Sequence, residues 1–452
     1  MAEERAKFGS KIGVILATAG SAVGLGNVWR FPYMTGENGG AAYIFIYIAC
    51  VIVLGIPCMI AEFLIGRHGA SNTARAYTRL ANGSKWKWIG YLEVLTGFLI
   101  TGYYAVVSGW CLNYVYASIM GELKGDPNYV KDYFVAFSTD PIRPIFWTVV
   151  IFLITHYIIV HGVRNGIEKA SKLMMPTLFI LLLVIVVAAC LLPGASAGIT
   201  FLLKPDFSKV TGDVFLNALG QCFYSMSIAM GCLCTYASYF NRKTNLTTSA
   251  IQIGFIDLFV AILAGLMIFP AAFSVGISPD SGPSLIFITL PNVFNQAFSG
   301  APVLGWIIAL LFYALLSLAA LTSLISLHEV NTAFFYEELH ISRKAGAWIV
   351  TLSCAVIGAI CSLSIGQKDT LSLFGKDLFD LFDFVTGQLM LPIGGMLMCV
   401  FVGWVVPQQI VKDELTNWGT LRYNCYSAFV FSMRYVCPLG ILAIMLHQFN
   451  LI

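Results

Sequence analysis

Apolar residues run along this chain in blocks of about twenty, each long enough to cross a bilayer core as a helix. Eleven such blocks are predicted, at residues 11–35, 40–66, 88–119, 144–162, 167–192, 212–239, 247–274, 302–336, 345–364, 378–403 and 427–449. A further amphipathic piece, PSLIFITLPNVFNQAF at 283–298, is too short and too polar to span and is expected to cap one face. Two blocks are interrupted. The first reads AGSAVGLGNVWRFPY (19–33), with Gly20, Gly24 and Gly26 close together and Asn27 and Arg30 behind them. The sixth contains GQCFYSMSIAMGCLCTYASY (220–239), where Gln221, Ser225, Ser227 and Gly231 cut an apolar run. Irregular backbone at membrane depth survives only when buried in protein or lining a cavity. A broken helix offers free carbonyls to a cation on one side and free amides to a carboxylate on the other. Close helix packing through small residues is the competing explanation for the glycines.

Interruptions at matching places in the first and sixth blocks imply two inverted five-helix repeats, 11–192 and 212–403, with 427–449 as an additional helix. The expected fold is an all-α polytopic membrane protein of about 11 transmembrane helices, a single transporter domain over 1–452 with helices 1 and 6 broken. Composition agrees: 58% of residues are hydrophobic and 11% charged, against about 25% charged in soluble domains. A net charge of +3 without a long basic run points away from nucleic acid. No P-loop lysine motif is present, which argues against an ATP-driven pump. The few acids and histidines do not cluster as a catalytic pair, so no enzyme is expected, and no obligate protein partner is evident beyond the lipid bilayer. Cysteines such as Cys50, Cys58, Cys190, Cys354, Cys361 and Cys399 lie in apolar segments and read as small buried hydrophobes. Cys232 and Cys234 lack the histidine or second pair that a metal site would need.

Loop charge sets the orientation. Arg67, Arg75, Arg79, Lys85 and Lys87 follow helix 2, and Arg164, Lys169, Lys172, Arg242 and Lys243 fall on the same side. The opposite loops carry Glu122, Asp126, Asp132, Asp140, Asp206 and Asp213. The positive-inside rule places the N-terminus in the cytoplasm of a multi-pass protein of the cell membrane, and an odd helix count places the C-terminus outside. The charged N-terminal stretch lacks a cleavage site, so the first helix is expected to be retained.

The stretch AGSAVGLGNVWRFPY followed by ENGG (37–40) resembles the helix 1 signature of the neurotransmitter:sodium symporters. The similarity continues through GQCFYSMS (220–227), TYASY (235–239), LTSL (321–324), ELHISRK (338–344) and DLFDF (380–384), and is strongest to the bacterial amino-acid branch. The resemblance implies a leucine-transporter-like fold and sodium-driven import of hydrophobic L-amino acids by alternating access. Two sodium ions are implied, with no chloride requirement. A transporter-like sensor that binds without translocating is the alternative.

The resemblance also assigns residues. The first sodium would be held by the Ala22 carbonyl, Asn27, Ser225 and Asp257, the second by carbonyls of Gly20, Val23 and Ala319 with the hydroxyls of Thr322 and Ser323. An acid such as Asp257 within a span is rare and marks a functional site by default. Its carboxylate would replace the chloride of relatives whose halide site Tyr47, Gln221 and Ser225 otherwise match, since Ala261 stands where those relatives have serine. The substrate carboxylate would meet the amides of Leu25 and Gly26 and the Tyr104 hydroxyl. Its ammonium would meet carbonyls of Ala22, Tyr224 and Ser225, with Ser227 nearby. Ile100, Tyr104, Tyr224, Met230, Ser323 and Leu327 would line an apolar pocket accepting leucine through tryptophan. Arg30 with Asp383 would close the outer gate and Arg5 with Glu337 the inner one. Gly166 and Pro176 would mark a stretch of helix 5 that unwinds to admit water.

Overall fold

The computed structural model describes residues 6–124, 126–277, 285–367, 370–449 and 451. The chain runs as α1 (Lys11–Ala22), α2 (Gly26–Glu37), α3 (Ala41–Gly69), α4 (Thr73–Leu80), α5 (Lys85–Met120), α6 (Pro127–Ser138), α7 (Arg143–Val160) and α8 (Val163–Cys190). It continues as α9 (Ala195–Leu203), α10 (Gly212–Ser225), α11 (Cys232–Ala237), α12 (Leu246–Ser274), α13 (Thr289–Ala297), α14 (Pro302–Glu338) and α15 (Arg343–Gly366). A two-stranded antiparallel hairpin, β1 (Ser372–Leu373) with β2 (Lys376–Asp377), precedes α16 (Leu378–Val405), α17 (Gln408–Leu415) and α18 (Tyr426–Gln448).

Polar caps punctuate this apolar chain. Ser10, Thr211, Asn245 and Ser342 each accept a hydrogen bond from the amide three residues on, opening α1, α10, α12 and α15. Gly121, left-handed at φ 75°, closes α5. Between caps the helices are apolar on nearly every side, because one face meets other helices and the other meets lipid. Leu173, Ile180 and Val187 on α8, and Leu352, Val356 and Ile360 on α15, form exposed apolar stripes at helical spacing.

Among the described residues nine helices are long and apolar enough to cross a membrane, and α1 with α2, bent by 53° at their junction, makes a tenth. The eleventh expected span is α10 with α11, two halves too short to count alone and separated by residues 226–231. Residues 285–298 of the expected capping piece hold α13 and are tied down by Tyr114 and Tyr313, whose hydroxyls donate to the carbonyls of Phe287 and Ile286, each at 2.9 Å. Positions 283 and 284 lie outside the described residues. The helices sort into two groups. One is α5, α7, α14 and α15, packed on each other; the other is α1, α3 and α10–α12, with α1 also lying against α8 and α14.

The two breaks have different local causes. After Ala22 the chain turns extended at Val23 (φ −75°, ψ 100°), and a side chain at Gly24 would collide with the Ser323 hydroxyl. In the sixth span Ser227, Ala229 and Gly231 are left-handed, at φ 53°, 62° and 73°. That conformation costs a non-glycine residue about 1–2 kcal/mol, so other contacts must hold it. Glu62 of α3 supplies them: its carboxylate accepts the Ala229 amide at 2.6 Å and the Cys234 amide, in the first turn of α11, at 3.2 Å. The Ser227 hydroxyl donates to the Ser21 carbonyl at 2.9 Å, which ties one break to the other.

Candidate functional site

Two clusters of oxygen atoms flank the end of α1. The first is built on Asp257 of α12, which is fully buried. Asn27 of α2 donates through Nδ2 to Asp257 Oδ1 at 2.7 Å and to the Asp257 carbonyl at 3.1 Å. The Ser225 hydroxyl, at the last turn of α10, donates to Oδ1 at 3.1 Å, and the Tyr47 hydroxyl of α3 to Oδ2 at 3.3 Å. Asn27 Oδ1 in turn accepts the Gly24 amide at 3.0 Å. Three of the four residues assigned to the first sodium therefore meet directly, and the fourth, Ala22, is the last residue of α1. A buried carboxylate costs several kcal/mol unless it is paired, and Asn27, Ser225 and Tyr47 are neutral donors. Asp257 and Ser225 present oxygens, the atoms that a hard cation takes, and Asn27 adds its Oδ1 once the amide, which here turns Nδ2 toward Asp257, is reversed. The residues thus fit a sodium ion.

The second cluster carries no formal charge. Thr322 of α14 donates to the carbonyls of Val23 at 3.3 Å and Ala319 at 2.9 Å. A Cβ at Gly20 would lie 3.3 Å from the Thr322 Cβ, so Gly20 is pressed against the same residue. Ser323 reaches the Ser21 carbonyl at 3.4 Å. All five residues assigned to the second sodium lie at this α1–α14 contact, and their neutral oxygens also suit a hard cation.

Beside the break lies a cavity of about 490 Å³, walled by Trp29, Tyr33, Tyr103, Trp110, Phe134, Phe287 and Phe379 and reaching Leu25, Gly26, Tyr104 and Tyr224. The Leu25 amide faces the Tyr104 hydroxyl at 3.5 Å, and Gln221 donates to the Gly26 carbonyl at 3.1 Å. Ile100, Met230, Ser323 and Leu327 are buried and do not line this cavity. The structure thus brings Leu25, Gly26, Tyr104 and Tyr224 to one cavity and leaves Ile100, Met230, Ser323 and Leu327 outside its lining.

The outer gate differs from expectation. Arg30 and Asp383 both line the cavity but make no ion pair with each other. Arg30 stacks over the Tyr224 ring at 4.5 Å, and Asp383 accepts the Tyr103 hydroxyl at 3.2 Å. The opposite end is sealed. Phe8 packs edge-on against Tyr236 and Tyr239, and the Gly9 amide and Ser10 hydroxyl donate to Glu168 of α8 at 2.6 and 2.8 Å. Glu337 accepts the Asn72 amide and side chain at 2.8 and 3.0 Å. Arg5, its expected partner, lies outside the described residues.

Helix 5 is wound through Pro176, which sits inside α8, and the irregularity is confined to a wide turn over Val163–Glu168. Gly166 lies in that turn, where a Cβ would strike the Ile158 carbonyl. The expected unwinding between Gly166 and Pro176 is therefore not seen in this conformation. Sequence reasoning missed Glu62, the anchor of the sixth-span break, although an acid inside IPCMIAEFLIG satisfied the same rarity rule that marked Asp257. It also missed Glu93 of α5, buried and bonded by Tyr77 at 2.6 Å.

A family model described as the sodium:neurotransmitter symporter family matches residues 5–130 and 128–451. The chain is 34% identical over 455 residues to the sodium-dependent transporter YhdH of Bacillus subtilis, covering 100% of both chains. It is 25% identical over 502 residues to the human sodium- and chloride-dependent GABA transporter 2, covering 96% of this chain and 81% of that one. Among solved structures, the crystal structure of MhsT in complex with L-phenylalanine is similar at a TM-score of 0.88 and 38% identity, over 98% of this chain and 99% of the other.

Proposed function

The chain belongs to the sodium:neurotransmitter symporter family, and on that premise we propose that it imports hydrophobic L-amino acids, leucine through tryptophan, with two sodium ions and without chloride. The observation that carries this reading is the meeting of Asn27, Ser225 and Asp257 beside the first break, next to a cavity that ends on the Leu25 and Gly26 backbone. Similarity to a structure holding L-phenylalanine supports an apolar amino acid as cargo.

In this reading the substrate carboxylate sits on the amides of Leu25 and Gly26 and the Tyr104 hydroxyl, and its ammonium on the carbonyls of Ala22, Tyr224 and Ser225, with Ser227 close by. The side chain enters among Ile100, Tyr104, Tyr224, Met230, Ser323 and Leu327. Sodium on Ala22, Asn27, Ser225 and Asp257 completes the carboxylate site, so ion and substrate bind cooperatively. A second ion on Gly20, Val23, Ala319, Thr322 and Ser323 joins α1 to α14. Asp257 supplies the negative charge that chloride supplies in chloride-dependent relatives. The two halves, 11–192 and 212–403, act as inverted repeats, and the group holding α1, α3 and α10–α12 rocks against the group of α5, α7, α14 and α15. Arg30 and Asp383 approach as the outer end closes. Residues near Gly166 and Pro176 loosen as the inner end opens, where Arg5 and Glu337 part. Each inward sodium contributes about 2.3 kcal/mol per 100 mV. The N-terminus is cytoplasmic and the C-terminus outside, in the cell membrane.

The test is uptake of labelled tryptophan and leucine into proteoliposomes under an inward sodium gradient, with choline replacing sodium and gluconate replacing chloride. Accumulation that needs sodium and ignores chloride is the expected result. Sodium-dependent binding without flux would overturn transport, and loss of uptake in gluconate would overturn the role of Asp257.

A further inference from the structure

Three thiols that the sodium and substrate clusters leave unused converge on one another. Cys58 comes from α3, Cys399 from α16 and Cys437 from α18, and their sulfurs all lie within 4.8 Å of one another. The Cys58 and Cys399 sulfurs are 3.6 Å apart, and none of the three residues has exposed surface. Among the described residues no other three side chains of histidine, cysteine, aspartate or glutamate come together in this way. The neighbouring polar atom is the Ser432 hydroxyl, 3.2 Å from the Cys437 sulfur.

Thiolate bonds of about 2.3 Å to a metal place three sulfurs around one ion about 4 Å apart. The observed triangle needs only small side-chain rotations to reach that size. Zinc almost always takes four ligands in a structural site, and no fourth histidine, cysteine or carboxylate is gathered here. A purely sulfur donor set selects soft ions, Cu(I) foremost among those stable with three ligands.

We propose that Cys58, Cys399 and Cys437 form a trigonal three-sulfur site for a soft monovalent cation of the Cu(I) class. Binding moves no electrons when the ion enters as Cu(I). Each thiol that becomes a thiolate loses its proton to solvent, so ion uptake releases protons. The site joins α3, one of the helices gathered around the breaks, to α16 and α18, which pack on each other. An ion held there pins α3 and slows turnover. That consequence rests on the symporter reading, whereas the binding itself does not.

The experiment uses the full-length protein in detergent, kept reduced and anaerobic, with Cu(I) supplied under ascorbate against a competing Cu(I) chelator. One ion per chain with a three-sulfur shell by X-ray absorption is the expected result. Cys58→Ala, Cys399→Ala and Cys437→Ala should each weaken retention roughly tenfold or more, since even supporting residues around a metal are worth that much. Cys111→Ala and Cys361→Ala, buried elsewhere, should leave it unchanged. Serine versions of the three variants and their melting temperatures separate ligand loss from misfolding. Failure of the wild type to hold Cu(I) against the chelator overturns the site, as does equal retention by the triple alanine variant. A titration two thiols short of the twelve in the chain would mean a disulfide in its place and overturn it too. None of these readouts depends on transport, so they stand apart from failure of the symporter reading.

Discussion

The two oxygen clusters at the end of α1 differ in one respect that matters physically. The Asp257 cluster is built on a carboxyl group in the protein interior, whereas the Thr322 cluster is made of carbonyls and hydroxyls alone. A buried charge without a counter-charge is costly, so on the proposed reading an ionised Asp257 calls for a cation. A neutral cage merely tolerates one, and its affinity comes from how well its oxygens are placed. The first cluster should therefore dominate sodium affinity and anion dependence, and the second should adjust the coupling between α1 and α14.

The largest test of that contrast is Asp257→Asn. Removing one partner of a buried charge pair costs about 3 kcal/mol or more, so half-maximal sodium should rise at least about 100-fold in gluconate. Chloride should restore part of the loss. Uptake in gluconate with an unaltered sodium dependence would erase the distinction between the clusters. Next comes Glu62→Gln, which weakens the charged anchor of the sixth-span break that both clusters lean on. Hydrogen bonds to a charged group are worth about 1.5–3 kcal/mol, and the melting temperature should fall accordingly, with sodium binding weakened at both clusters together. Thr322→Val probes the neutral cage. Loss of about 1 kcal/mol from one neutral hydroxyl should raise half-maximal sodium roughly fivefold, with no new response to chloride. A chloride effect in this variant would mean that the two sites are not separable. The smallest change is expected from Tyr47→Phe, which removes a 3.3 Å donor to Asp257. About 0.5 kcal/mol, at the weak end of the range, corresponds to a two- to threefold shift measured in the same assay.

Much of this arrangement is legible without coordinates, and the parts that are not share a cause. The breaks near Gly24 and Gly231 are written locally, in small residues that interrupt apolar blocks, and both appear where the pattern places them. Asn27, Ser225 and Asp257 are likewise recognisable one at a time, as polar groups in apolar surroundings. Glu62 carries the same local signature, yet its task depends on α11 arriving in front of it, 172 positions along the chain. The state of the outer gate is even less local. Arg30 and Asp383 are expected from the sequence to pair, and both line one cavity without forming an ion pair with each other. Cys58, Cys399 and Cys437 show the limit plainly, since each alone is an ordinary buried thiol.

By itself the sequence determined that most segments are helices facing lipid and where the two helices cannot stay intact. Those are properties of short windows, governed by hydrophobic length and backbone freedom. Only the tertiary structure decided which polar groups share a site and which end of the bundle is closed. It also decided that three thiols from three helices stand within 4.8 Å. Such contacts act over a few ångströms between residues hundreds of positions apart, and packing alone sets that distance.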